Sequence, residues 1–444
     1  MKKSTEMNNQ ELYTYAKTLI PGGTQLLSKR PEQFAPGQWP NYATKAQGCQ
    51  VWDVEGKQYT DMTTNGIGAC LLGYADPDVT AAVVKRVQNG SMSTLNAPEE
   101  VFLAEKLCQI HPWAESVRFA RTGGETCAIA VRIARATTGK DLVAICGYHG
   151  WSDWYIAANL GNNSSLDGQL LPGLDPAGVP RGLAGSALTF YGNDYEGFDK
   201  LMAEYGDRLA CVIMEPVRGG SMEDNFRKHI RAATKKAGVL LIYDEITIGW
   251  RYCLGGSHLQ LDVTPDMATF AKALGNGHPI GAVIGTKEAM DGAQSSFISS
   301  TYWTEAVGPA AALATIEKME RTKVWEHVAN VGITLKKDWE EIAARNGLGL
   351  TSGGLDCLPH FSFAEDHLET RTLYTVLMLK EGYLAGGSCY PTLAHTEEVL
   401  AKHREVMDKV FYKIAQIKKA GGKEAILEAI GGPVAQTGFK RLMD

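Results

Sequence analysis

The chain of 444 residues has no long apolar run, no block of basic residues and no CxxC pair. Each absence removes a class of function. No stretch approaches the ~20 apolar residues that a membrane-spanning helix needs. A net charge of −6 without a basic cluster argues against nucleic acid and anionic membranes as partners. The nine cysteines stand singly and are odd in number, which points to a reducing, cytoplasmic setting rather than a disulfide framework. The ten histidines include no HExxH and no close pairing with cysteine, so no metal centre is expected. Neither GxGxxG nor GxxxxGK[ST] occurs, which leaves no motif for a dinucleotide or a P-loop nucleotide. The start, MKKSTEMNNQELYTYAK, has lysines but no apolar core after them, unlike a secretory signal.

The composition present is that of a globular protein, 44% hydrophobic and 21% charged, long enough for two or three domains. Residues 1–70 read as a mixed, loop-rich segment. Two helices follow: Asp76 and Pro77 open one that Gly90 ends, and Pro98 opens another that stops before Pro112. From about residue 116 short apolar runs alternate with helical stretches. The runs at 116–120, 142–146, 187–191, 210–214, 239–243 and 280–285 are continuous rather than alternating. That pattern predicts an α/β fold with a mostly parallel sheet covered on both faces. Residues 71–314 form the expected large domain and 315–444 a smaller α/β C-terminal domain. The Pro- and Gly-rich stretch from Asn159 to Gly185 reads as a lid.

Four elements carry chemistry. In YDEI, Asp244 follows an apolar strand directly, and ligands of open parallel sheets bind at the strands' carboxyl ends. In TGGE, Gly123 and Gly124 open a helix whose free N–H groups favour a phosphate. In YHG, Tyr148 is delivered at another strand end, where a planar ring could stack. In FAKALGNGHPIGA, Lys272 sits among small and apolar residues, which disfavour its ammonium form and make it a nucleophilic amine. Singly, each has an ordinary structural explanation. Together they ask for one ligand with a phosphate, an aldehyde and a basic ring nitrogen, and pyridoxal 5′-phosphate (PLP) has all three.

The order TGGE, YHG, EPV, YDEI, FAKALGNGHPIGA resembles the class III, fold type I, PLP-dependent aminotransferases, and within them glutamate-1-semialdehyde aminomutase. The similarity runs from IPGGTQ (Ile20–Gln25) to LAHTEEVL (Leu393–Leu400). It implies that Lys272 carries the cofactor as a Schiff base and that Asp244 pairs with the pyridine nitrogen. It places Ile246 and Tyr148 on opposite ring faces and the phosphate on Gly123 and Gly124. It also implies a homodimer, in which Thr301 of SSTYWTEA completes the neighbouring subunit's phosphate site.

Several departures from the mutase favour a transaminase that takes its amino group from glutamate and passes it to a second carbonyl compound. GGTQLLSKR replaces the mutase loop whose arginine meets the substrate carboxylate, and Lys29 or Arg30 stands at that place. Arg218 and Arg251 are further candidate cations. The chain as a whole is similar to sugar aminotransferases acting at carbon 8 of an oxidised 3-deoxy-manno-octulosonate in lipopolysaccharide synthesis. The mutase reaction and a PLP-binding regulator without chemistry remain as alternatives.

Overall fold

A computed structural model describes residues 3–162, 164–169, 172–217 and 222–438. Arg218 lies outside the described residues. The chain divides into two compact units: the first is made of Met1–Asp76 with Glu326–Asp444, and the second is Pro77–Trp325.

Strands are numbered in chain order. The first unit holds β1 (Ala43–Gln47), β2 (Gln50–Asp53) and β3 (Gln58–Met62), and the same four-stranded sheet takes in β13 (Tyr383–Ala385) from the far end of the sequence. β13 lies parallel to β3, with Leu384 opposite Asp61. The N-terminal segment is therefore not a separate piece: it shares a sheet with the C-terminal residues. A core of Trp339, Phe361, Phe363, Tyr374 and Phe411 fills this unit. The hairpin β11 (Leu350–Gly353) and β12 (His360–Phe363) supplies part of it. The long C-terminal helix Glu397–Ile430, capped by Thr396, breaks at Gly421 and Gly422, where the φ of +60° at Gly422 suits a residue without Cβ.

The second unit is built on a seven-stranded sheet in the order β4-β10-β9-β8-β7-β5-β6. Its strands are β4 (Ser116–Ala120), β5 (Leu142–Cys146), β6 (Ala187–Thr189), β7 (Leu209–Met214), β8 (Leu240–Asp244), β9 (Met267–Phe270) and β10 (Gly281–Gly285). Five of them, β6-β5-β7-β8-β9, run parallel, as continuous apolar runs require; all six residues of β7 are buried. β10 is antiparallel to both β9 and β4, so β4 again points the same way as β9. The four-residue β9 has no signature of its own length. It is held as a strand by its ladders to β8 and β10; at its start the Asp266 carboxylate accepts from Leu241 N–H at 2.7 Å and pairs with Arg231 at 2.6 Å.

This arrangement brings the carboxyl ends of β4, β5, β8 and β9 to one edge of the sheet. At or just beyond those ends stand Gly123, Tyr148, Asp244 and Lys272. Described residues of the Pro- and Gly-rich stretch, among them Asn159 and Gln169, pack beside that edge. Asn159 is fully buried, accepts from Leu166 N–H and donates to Leu174 O. Gln169 accepts from Gly147 N–H at 2.7 Å and donates to Phe190 O at 3.1 Å.

Candidate active site

Of the two carboxylates in YDEI, only one faces the ligand edge. Glu245 is consumed by structure: its oxygens accept from Ser257 N–H, Ser257 Oγ–H, His258 N–H and His258 Nδ1, the last at 2.8 Å. Asp244 is 4% exposed. Its Oδ1 accepts from Ile246 N–H at 3.0 Å. Its Oδ2 accepts from His149 Nδ1 at 2.7 Å and from the Cys127 thiol at 3.3 Å. A carboxylate offers about four acceptor sites. Three are taken, and one is left for a further donor.

His149 and Cys127 come from distant segments. His149 follows β5, and Cys127 lies on the helix Gly123–Thr138. Burial, with Asp244 beside it, pushes the Cys127 thiol well above its ordinary range, so it remains a protonated donor. The donor atoms of Cys127, His149 and Asp244 all lie within 4.8 Å of one another, close enough to hold an ion. Two of them, however, already point at the third. The set reads as a carboxylate held in place rather than a metal centre, since a metal would need the thiolate. His149 was visible in the sequence as the second residue of YHG, yet nothing local assigns it to Asp244. Cys127 gave no signal at all.

Lys272 opens a short 3₁₀ turn, Lys272–Gly275, with a left-handed φ of +45°. A lysine rarely adopts that conformation, and such strain is concentrated at functional sites. Its Nζ donates to Thr247 Oγ1 at 2.9 Å. Burial pushes the ammonium pKa down and Arg251 adds to this, while Asp244 and Glu215 oppose it; the net direction is downward. Arg251 is itself 1% exposed.

The helix that follows β4 begins with a capping box. Thr122 accepts from Glu125 N–H, and Glu125 accepts from Thr122 N–H at 2.9 Å. A Cβ on Gly123 would lie 3.0 Å from Ile246 Cδ1, and one on Gly124 would lie 3.3 Å from Trp151 Cδ1. The bare backbone here makes a cradle that any side chain would fill. Tyr148 is half-buried, packs edge-on to Tyr155 at 5.9 Å and donates its N–H to Glu215. Its phenol is raised by burial and by the neighbouring Cys127 and Asp244.

The second unit thus gathers Gly123, Gly124, Tyr148, Asp244, Ile246 and Lys272 around one edge. Thr301, also in this unit, is exposed at the start of the turn Thr301–Thr304. Arg118 and Arg121 fasten this stretch through Ile298 O and Trp303 O. Lys29 and Arg30 belong to the first unit. Lys29 is exposed, and Arg30 lays its guanidinium over Gly22.

The set fits PLP. Asp244 keeps one acceptor site open, the glycine cradle sits at a helix N-terminus, and a lysine with depressed basicity is at hand. Comparison with known proteins agrees. The family model Aminotransferase class-III matches residues 34–350. A 3-aminobutyryl-CoA aminotransferase from Cloacimonas acidaminovorans (strain Evry) is 30% identical over 428 residues, 93% of this chain and 97% of that protein. The PLP internal aldimine form of the Sphingopyxis sp. MTA144 FumI protein has a TM-score of 0.84 at 24% identity, over 93% of this chain and 98% of that one. An omega-transaminase from Sphaerobacter thermophilus has a TM-score of 0.80 at 24% identity, over the same shares of the two chains.

Proposed function

The chain belongs to the class III aminotransferases, which use PLP, and on that premise we propose that it moves an amino group from glutamate to a small carbonyl compound and works as a homodimer. The observation that carries the reading is the buried Asp244, held by His149 and Cys127 at the sheet edge to which Lys272 is also delivered.

When bound, PLP supplies an aldehyde that takes up an amino group and a protonated ring that accepts electrons from the adjoining carbon. The work of this chain is to hold that group and move protons. Asp244 would accept the ring N–H on its open acceptor site and so keep the ring protonated. His149 and Cys127 fix the carboxylate, so it does not turn away. Ile246 and Tyr148 enclose the ring. The N–H groups of Gly123 and Gly124 receive the phosphate at the helix N-terminus. Lys272 Nζ, whose basicity burial lowers, would hold the cofactor covalently and, when freed, would take and return a proton as general base and acid. Thr247 Oγ1 accepts from Nζ at 2.9 Å and steadies it.

Thr301 serves the partner's phosphate under this reading. The exposure beside it supports a homodimer: Phe297 is 86% and Tyr302 70% exposed, large apolar surfaces that a second copy would cover. Lys29 and Arg30 remain the candidate cations for the substrate carboxylate from the N-terminal loop.

The acceptor we propose is a sugar acid, the oxidised 8-oxo-3,8-dideoxy-manno-octulosonate that the sequence resemblance implies. The Cloacimonas relative supports a second candidate, an acyl-CoA carrying a 3-oxo group. The test is the visible absorbance of the purified holoenzyme. Glutamate should bleach it, and the true acceptor should restore it. A protein that converts an amino aldehyde without glutamate is the mutase instead. A band that no amine disturbs would sink the catalytic reading in favour of a PLP-binding regulator.

A further inference from the structure

The first unit contains a cavity of about 420 Å³, within the roughly 300–1,000 Å³ of small-molecule sites. Its wall comes from separate parts of the chain: the N-terminal loop at Ser28, the loop after β3 at Thr63 and Thr64, the helix His367–Lys380, and the turn after β13 at Ser388. None of the residues lining it is an aspartate or glutamate, and one is an arginine, Arg371.

Arg371 is half-buried and makes no ion pair or hydrogen bond among the described residues. Burial alone lowers its pKa. The acids near it on the chain are engaged with lysines of the C-terminal helix. Glu365 pairs with Lys418 at 2.6 Å, and Glu369 and Asp366 pair with Lys423 at 2.6 and 3.9 Å. Nothing on its own element therefore neutralises the guanidinium. Its stem crosses Gly387, where a Cβ would come within 3.2 Å of Arg371 Cδ, so the backbone is cut back to admit it. One turn earlier, His367 Nδ1 accepts from Phe363 N–H at 3.1 Å, and the neutral imidazole then carries its proton on Nε2. The cavity thus has a cation, an imidazole N–H and hydroxyls, and no acid.

An arginine partly withdrawn from water without a protein partner carries a desolvation cost. Such a cost is retained where a ligand repays it, and the fork of a guanidinium matches a carboxylate bidentately. We infer that this cavity binds the carboxylate of a small organic acid, with Arg371 as its principal contact. The binding claim goes beyond the aminotransferase reading; only its link to turnover rests on that reading.

The probe is glutarate, a dicarboxylate without an amine, titrated calorimetrically into the full-length holoenzyme, with glutaramide as the neutral control. Glutarate should bind and glutaramide should not. Arg371→Gln should weaken glutarate roughly tenfold or more, the loss expected for a charged hydrogen-bond partner, while its melting temperature stays level or rises. That last sign separates a ligand-binding arginine from a structural one, whose removal lowers stability. Gly387→Val, which crowds the stem, should weaken binding in the same direction with Arg371 still present. If the acid is the substrate, glutarate competes with glutamate in the bleaching assay, and Arg371→Gln raises KM for glutamate but not for a carboxylate-free amine. If the acid is an effector, glutarate inhibits or activates without competing, and Arg371→Gln abolishes that effect. Either pattern supports the inference. Equal glutarate affinity in the wild type and Arg371→Gln, equal binding of glutaramide, or no glutarate binding to the wild type would overturn it. Because calorimetry reads binding directly, a protein that fails to transaminate can still show, or fail to show, the predicted glutarate affinity.

Discussion

Replacing His149 by leucine isolates the contact that distinguishes Asp244 from an ordinary buried acid. The imidazole is 0% and the carboxylate 4% exposed, and their hydrogen bond is 2.7 Å long. A hydrogen bond to a charged group contributes about 1.5–3 kcal/mol. At about 1.4 kcal/mol per decade, its loss corresponds to roughly 10- to 150-fold. Leucine leaves Oδ2 with the Cys127 thiol alone, and that weaker donor holds it at 3.3 Å. The carboxylate then loses its shortest hydrogen bond and is freer to turn, which weakens its hold on the ring nitrogen. The assay is kcat for the glutamate half-reaction with the PLP dissociation constant, and the melting temperature of the apoprotein as control. The expectation is a fall in kcat and in cofactor affinity within that range. His149→Asn keeps an N–H close to the position of Nδ1 and should recover most of both. Leucine and asparagine variants that lose activity equally would refute a role through the donor. So would a leucine variant within about threefold of wild type, since that is well below the expected loss.

Other outcomes follow from the same geometry. Lys272→Ala should lower turnover by several orders of magnitude, as for other core catalytic groups, with PLP no longer covalently held; near-normal turnover would sink its assignment. Gly150→Ala should reduce PLP affinity, because the residue has φ of +103° and its Cβ would lie 2.8 Å from Gly124 Cα in the cradle; unchanged affinity would argue against that site for the phosphate. Stability should fall on the acid side. Burial holds the His403 imidazole down to about 3, with His395 and Arg404 adding to it, and burial with His258 holds His111 down to about 4. Both are depressed below the ordinary value of 6.5, so the unfolded chain binds more protons. Their stabilisation is complete above pH 6.5 and is lost as pH falls toward those lower values. His403→Phe should flatten the dependence by up to ~1.4 kcal/mol per pH unit within that window, read from denaturant unfolding; parallel slopes would refute it.

Much of this protein was legible before its tertiary structure. Apolar runs at 116–120 and 142–146 coincide with β4 and β5, and most of the others shift by only a residue or two. The depressed basicity of Lys272 and the position of Asp244 at a strand end follow from their immediate neighbours, because burial and strand direction are encoded locally. β9 was not legible: MATF is too short to have a period, and its identity as a strand depends on pairing with β8 and β10 on either side.

What only the tertiary structure decided is how distant residues share one group. Glu245 and Asp244 are adjacent in sequence, yet one is spent on Ser257 and His258 and the other is held by partners 95 and 117 residues away. β13 joins β3 across more than half the chain. Arg371 is an ordinary surface cation to any local reading. It becomes a ligand candidate only because folding places it, half-buried, on a cavity lined by no acid. Sequence alone determines propensity, pattern and the chemistry available. Which side chains compete for the same proton or charge depends on contacts between segments far apart in the chain, and no local pattern records those.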